Sequence, residues 1–423
     1  MSVGASMPSN NALNNKKNDV KKLKILHFSP FSLFLFPREK NCRSAPFQRD
    51  ESPQQQRKRI IIVMTTGGGR GEQHTAVAAV SSTTGRFERA ESSFRDRIPL
   101  LLSGEDQKTG VPSSSSSSMT PHRYALVVSY ACPWACRCLT TAYLKGLEDV
   151  IDVEIVHPTW QKTRKDDGHA GWVFPDFDAD AIPHMSGIES ARFAVKRYHT
   201  RKEKKNKNSS EYYSVRDFYE EHDASFKGPF TVPILYDRVE KKIVSNESSE
   251  IIRDLNERFQ PLAKNDKLDL YPEKLRKEID EMNEWTYHAI NNGVYKCGFA
   301  RTQEAYDAAM EELYRGLEKL ESILQTSGMK YLLSDDDVTE TDVRVYQTLV
   351  RFDEVYVVYF KTNKKCIREY KHLSEYVKRL HAMPAFQKAT NMWDIKTHYF
   401  TSHLALNPYG IIPKGDPSWL SSM

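Results

Sequence analysis

The chain has 423 residues, enough for two or three domains, and its 61 Lys and Arg against 56 Asp and Glu leave a net charge of only +5. So small an imbalance does not suggest a dedicated nucleic-acid binder, and no apolar run is long enough to cross a bilayer, which excludes a membrane protein. The 6 cysteines are unevenly spaced, which argues against a disulfide framework and for reduced thiols in an intracellular compartment.

Residues 1–85 are rich in Lys, Arg, Ser, Asn and Gln and poor in acids, and are expected to form a disordered leader. Their one apolar run, Ile25 to Phe36, is far too short for a membrane span. With Arg57-Lys-Arg59 and Gly67-Gly-Gly69 downstream, the composition resembles an organelle-targeting leader, for plastid or mitochondrion. Without such an address the protein is cytoplasmic. Residues 86–119 form an arm and linker. Phe87 to Ile98 mixes charges with spaced aromatics and is expected to dock on the following domain, and Ser113 to Ser118 is a low-complexity connector.

A domain is expected over 120–261. Tyr124 to Val128 is a nearly continuous apolar run, which suits a strand buried on both faces. Cys132 comes after a short turn, and Pro133 is next, the residue suited to the first helical position because its missing N–H costs nothing there. Leu139, Ala142 and Tyr143 continue the helix. Cys132 is thus placed at a helix N-terminus, where free N–H groups and the dipole favour a thiolate over a thiol. Cys132-x-x-x-Cys136 is not the Cys-x-x-Cys of a dithiol oxidoreductase. Cys136 and Cys138 point to different helix faces with no His nearby, so no metal site is expected. Cys136, Cys138, Cys297 and Cys366 read as structural.

Val150 to Val156 reads as a second strand, parallel to the first. Pro158 to about Lys227 reads as a long irregular stretch that contains Gly171-Trp172-Val173-Phe174 and the basic run Lys196 to Lys207, a solvated insertion. Phe230 to Asp237 is a strand with Lys242 to Ser245 as its hairpin partner. Val232-Pro233 is a candidate cis bond that would leave the Val232 backbone facing a peptide ligand. Asn246 to Arg253 opens a helix whose polar start, Glu247-Ser248, supplies a carboxylate, a hydroxyl and free N–H groups suited to an amino-acid head group. Taken alone, Glu247 and Ser248 are equally a plain helix cap.

The remainder, 264–423, reads as all-helical. Met310, Leu313, Leu317, Leu320 and Leu324 recur at three and four. Val338-Thr-Glu-Thr-Asp-Val343 holds a capping box, with Thr339 as N-cap and Asp342 as the N3 acid. Leu373 to Leu380 makes a further helix.

The Cys132 helix start, Val232-Pro233 and Glu247-Ser248 together resemble the thioredoxin-like domain of glutathione transferases. Several stretches resemble something narrower: Tyr130-Ala-Cys-Pro-Trp-Ala135, Asn291-Asn-Gly-Val-Tyr-Lys-Cys-Gly-Phe-Ala300, Arg351-Phe-Asp-Glu-Val-Tyr-Val357, Asp394-Ile-Lys-Thr-His-Tyr399 and Asn407-Pro-Tyr-Gly-Ile-Ile-Pro413. They are similar to the Xi-class glutathione transferases, the glutathionyl-hydroquinone reductases, over residues 86–417. Three positions depart from the family pattern: Pro229 for Arg, Tyr236 for Trp and Cys136 for His. The region 178–210 looks inserted.

The resemblance implies an α/β thioredoxin-like N-terminal domain followed by an all-α C-terminal domain, and a homodimer that uses glutathione as co-substrate on aromatic quinol conjugates. It implies Cys132 as nucleophile and Tyr295 as proton donor or acceptor. Tyr356 and Tyr399 would keep the Cys132 pKa low and touch the quinol. Trp172, the backbone of Phe230, Thr231 and Val232, and Glu247 with Ser248 would bind glutathione. The neighbouring readings are an omega-type thioltransferase or dehydroascorbate reductase, and a binding module that kept the fold and lost the chemistry.

Overall fold

Tyr124–Val128 (β3) is buried at all five positions, as its unbroken apolar run requires. Full burial of side chains such as Leu126 and Val127 stabilises by about 1.5–3 kcal/mol each. The computed structural model describes residues 79–81, 83–99, 120–164, 167–174, 212–403 and 406–421. All of these fall within one unit, residues 58–423. The expected leader up to residue 78, the serine connector and the 178–210 insertion lie outside the described residues.

Before β3, two short strands, Ala79–Val80 (β1) and Phe87–Glu88 (β2), pair antiparallel. After β3 come helix α1 (Pro133–Lys145), closed by Gly146 at φ 67°, and strand β4 (Asp152–Ile155). A small hairpin is next, β5 (Gln161–Lys162) with β6 (Ala170–Gly171). Then come helix α2 (Val215–His222), strands β7 (Ile234–Asp237) and β8 (Lys242–Ser245), and helix α3 (Ser248–Glu257). The main sheet runs β4-β3-β7-β8. β3 and β4 are parallel, with Leu126 opposite Val153, and the other two pairs are antiparallel.

Helix α2 corrects the reading of 158–227 as irregular. Val215, Phe218 and Tyr219 bury one face, and Ser214 with Asp217 forms a capping box at its start. The pattern is short and flanked by polar residues, so it carries little signal on its own.

The second hydrophobic core is helical. It is built by α4 (Arg276–Thr286), α5 (Gly293–Phe299), α6 (Gln303–Ser327), α7 (Glu340–Arg351), the short α8 (Val357–Tyr359), α9 (Lys371–His381), α10 (Pro384–Lys388) and α11 (Met392–Thr401). On α6, Leu313, Leu317, Leu320 and Leu324 are buried. The capping box of α7 forms as its spacing requires: Asp342 accepts from the Thr339 N–H at 2.8 Å and the Thr339 hydroxyl at 2.9 Å. Two π-helical turns, Tyr287–Asn291 and Phe352–Tyr356, interrupt this part. Each inserts a residue and so rotates the succeeding turn by about 100°. They come just before Tyr295 and at Tyr356. No helix among the described residues is long and apolar enough to cross a membrane.

Candidate active site

β3 ends at Val128 and α1 starts at Pro133, so Cys132 caps the helix with extended geometry, φ −83° and ψ 114°. The residue is half-buried, and its thiol faces the Val232 carbonyl oxygen at 3.5 Å, the side on which S–H donates. Burial pushes the thiol above its ordinary range. The N–H groups of Ala135 and Trp134, then the charges of Arg351 and Arg89, pull it down without overcoming that. This corrects the expectation of a ready-made thiolate: the helix end offers its N–H groups, but the same enclosure strips water from the sulfur.

Val232-Pro233 is cis. Successive residues of an extended chain face opposite ways, and the contacts divide accordingly. Thr231 donates its N–H to the Tyr219 hydroxyl at 3.3 Å and accepts that hydroxyl on its carbonyl at 3.0 Å, while Val232 turns to Cys132. The Thr231 backbone is therefore committed inside the domain. Phe230 is half-buried against His169, with ring centroids 5.1 Å apart. Glu247 is the N-cap of α3. One of its oxygens takes the Ser249 N–H at 2.9 Å and the Ser249 hydroxyl at 2.7 Å, and the other takes the Ser92 hydroxyl at 2.9 Å. Burial raises the Glu247 pKa, but these donors outweigh it and hold the carboxyl below its ordinary range. Ser248, next in line, is buried. Trp172 follows β6 and stacks on His398 of α11, centroids 4.5 Å apart.

From the helical side, three tyrosines far apart in sequence meet. The Tyr399 hydroxyl is 2.9 Å from that of Tyr295 and 3.3 Å from that of Tyr356. Burial raises all three, Tyr356 and Tyr399 most strongly. The bond between the Tyr399 and Tyr295 hydroxyls can run either way while both are protonated; once Tyr295 gives up its proton, only Tyr399 can donate it. Negative charge on Cys132 would push Tyr295 up, and that effect places the sulfur and the phenol in one electrostatic site. Tyr356 and Tyr399 make no hydrogen bond to the Cys132 sulfur among the described contacts. Their hydroxyls meet each other, and that of Tyr399 also meets Tyr295.

Residues 303–379 match the family of the glutathione S-transferase C-terminal domain. Glutathione S-transferase omega-like 2 of Schizosaccharomyces pombe is 40% identical over 81% of this chain and 97% of its own length. The glutathionyl-hydroquinone reductase YqjG of Escherichia coli is 37% identical over 82% of this chain and 93% of its own. The glutathione-bound structure of YqjG superposes with a TM-score of 0.61 over 77% of this chain and 92% of that one. The glutathione-S-transferase Xi of Phanerochaete chrysosporium matches at 40% identity and a TM-score of 0.63, over 78% of this chain and 97% of that one. The chain is a Xi-class glutathione transferase.

The departures of this Xi-class transferase from the family pattern have local answers. Tyr236 is buried in the sheet against Phe218 and pairs with Glu221 and, at 2.9 Å, with Tyr212, so it fills the core of the domain. Cys136 is fully buried and faces the Tyr130 carbonyl at 3.1 Å, and Arg351 donates to its sulfur at 3.1 Å. Burial pushes that thiol up to about 11. Pro229 is exposed and nothing in the structure assigns it a role.

Sequence reasoning passed over four residues that shape the site. Arg351 is wholly buried and ties α7 to the turn before Cys132 through the Tyr130 carbonyl at 2.8 Å. Arg89, on the arm, lies 4.5 Å from the Trp134 ring and 4.8 Å from the Tyr295 ring. Ser92 joins the arm to Glu247, and His398 backs Trp172. The only signal in the chain was indirect: each falls inside a motif already singled out, but no spacing rule links an arginine to a turn 221 residues away.

Proposed function

We propose that this Xi-class transferase is a glutathionyl-hydroquinone reductase. Cys132, as thiolate, attacks the sulfur of an S-glutathionyl-hydroquinone. The carbon–sulfur bond breaks, Tyr295 delivers a proton to the departing aromatic carbon, and Cys132 is left in a mixed disulfide with glutathione. A second glutathione attacks that disulfide, releases glutathione disulfide and restores the Cys132 thiolate. The proton returns to Tyr295 from solvent.

One observation carries the reading: a half-buried cysteine at a helix N-cap shares a site with a phenol, while its nearest thiol neighbour is engaged elsewhere. With Cys136 held by Arg351 and Tyr130, the resolving thiol has to come from solution, as glutathione. Val232 supplies backbone pairing for the cysteinyl part of the tripeptide, Glu247 and Ser248 hold its γ-glutamyl end, and Trp172 flanks it. When glutathione claims the Val232 carbonyl, the Cys132 thiol loses its acceptor, and the pull of the helix N–H groups and of Arg351 and Arg89 then favours the thiolate. Tyr399 strengthens Tyr295 as an acid, and Tyr356 supports Tyr399. A homodimer, and an organelle address within residues 1–85, belong to the same proposal. Sedimentation of the purified chain and a fluorescent fusion of that leader test them.

Mass spectrometry after treatment with glutathionyl-menadiol, without excess thiol, is expected to find one glutathione adduct, on Cys132. Turnover of glutathionyl-menadiol should exceed that of dehydroascorbate, the substrate of the omega-type alternative. Full reductase activity in Cys132→Ala would overturn the mechanism.

A further inference from the structure

Arg137 lies on α1, one residue beyond Cys136, and is 2% exposed. Its Nε is sealed with no partner, and the guanidinium makes no hydrogen bond or ion pair to any described residue. It lies 4.5 Å from the Trp134 ring. Burial, and next the like charge of Arg344, pull its pKa down to about 9. Arg344 of α7 is 9% exposed, its Nε also lacks a partner, and its carboxylate neighbour Glu340 is 3.8 Å away. That carboxylate is already bonded by Arg253 at 2.9 Å and Asn283 at 2.7 Å. Arg137, buried with no bonded anion beside a second buried arginine whose one carboxylate partner is 3.8 Å away and shared, is unfavourable unless something supplies the missing negative charge.

Their position indicates what that charge is. Cys138, next to Arg137, faces the Ser248 carbonyl at 3.6 Å, so this turn of α1 abuts the first turn of α3. Both arginines feel the charge of Glu247. Glu247 does not pair with either, since its oxygens are taken by Ser249 and Ser92. An unpaired guanidinium thus lies within electrostatic reach of a carboxylate at the start of α3. A simple anion would be repelled by Glu247 and a simple cation by the arginines, whereas an amino-acid zwitterion satisfies both. A planar carboxylate also matches the guanidinium fork.

We propose that Arg137, seconded by Arg344, binds the α-carboxylate of the γ-glutamyl end of glutathione while Glu247 takes its ammonium. This rests on the reading of Glu247-Ser248 as the γ-glutamyl subsite.

The test uses the full chain and calorimetric titration with two ligands. One is glutathione, and the other is 4-aminobutanoyl-cysteinyl-glycine, which lacks only that carboxylate. The wild type is expected to prefer glutathione by about thirtyfold, the weight of one charge-assisted hydrogen bond. Arg137→Gln should lose that preference by weakening glutathione alone, and Arg137→Lys should recover part of it. If Arg137→Gln does not fold, Arg344→Gln takes its place with the same readout. An unchanged preference in the variant overturns the proposal, and so does equal weakening of both ligands. An unchanged preference with a shifted dimer equilibrium would assign the counter-charge to a second copy of the chain. A wild type that binds neither ligand would instead overturn the reading of the whole glutathione site.

Discussion

Tyr399→Phe isolates the acid step. The Tyr399 and Tyr295 hydroxyls lie 2.9 Å apart, an ordinary hydrogen-bond length, and a deprotonated Tyr295 can only accept from Tyr399. In wild-type protein that bond strengthens as Tyr295 gives up its proton, because it then ends on a developing phenolate. A hydrogen bond to a charged group contributes about 1.5–3 kcal/mol, so its loss raises Tyr295 by roughly one to two pKa units. If the proton is largely transferred at the transition state, reduction slows about ten- to a hundredfold. Folding stability should fall by only about 1 kcal/mol, since the ring stays packed and one hydrogen-bonded hydroxyl is lost. The assay is single-turnover release of menadiol from glutathionyl-menadiol, with iodoacetamide alkylation of Cys132 as the control for thiol reactivity. Tyr295 is already raised above its ordinary value, so its donor form persists through neutral pH and is lost only as pH rises through the raised value. The alkaline limb of the rate profile should therefore move upward in the variant. Tyr295→Phe should abolish the effect of a second Tyr399→Phe change. A variant that turns over at the wild-type rate would refute the reasoning, and so would one whose loss is matched by slower alkylation of Cys132.

Acid should destabilise the protein through buried histidines. Burial pushes His398 down to about 3 and His381 and His403 to about 4. Each contributes stability that is full above the unfolded value near 6.5 and is lost as pH falls towards the folded value. At pH 5 His398 alone accounts for about 2 kcal/mol, and urea unfolding of His398→Gln at pH 7 and pH 5 should show a shallower pH slope than wild type. Asp394 works in the opposite sense: burial raises it to about 7 and its Oδ1 has no partner. Its stabilising proton is held below its unfolded value and lost as pH rises through the folded one, so Asp394→Asn should gain about 2–3 kcal/mol relative to wild type between pH 5 and pH 8. Gly415 sits at φ +58°, and a Cβ there would lie 1.9 Å from the Glu354 carboxylate that holds Lys396 at 3.0 Å. Gly415→Ala should cost about 1–3 kcal/mol and speed proteolysis of the C-terminal tail. Ser92→Ala removes the arm's bond to Glu247 and should weaken glutathione binding a few-fold, measured by calorimetry, with kcat unchanged.

The local codes were legible in the chain itself. An apolar run of five residues made a strand buried throughout, Pro133 fixed where a helix begins and so where Cys132 stands, and Thr339 with Asp342 fixed another start. Each depends on neighbours within one turn of backbone, where sterics and capping hydrogen bonds decide. The family motifs extended this to the candidate site residues, but not to how they meet. That Thr231 turns inward while Val232 faces the sulfur, that the Tyr399 and Tyr295 hydroxyls meet, and that Arg351 braces the turn at Tyr130 came only from the packed chain. The state of the Cys132 sulfur was likewise set by tertiary enclosure. A helix N-terminus can be read from four residues, but the water removed by everything folded around it cannot. The surroundings of the sulfur are groups brought together from the arm, the turn at Val232 and α7, and no local pattern encodes how closely they meet.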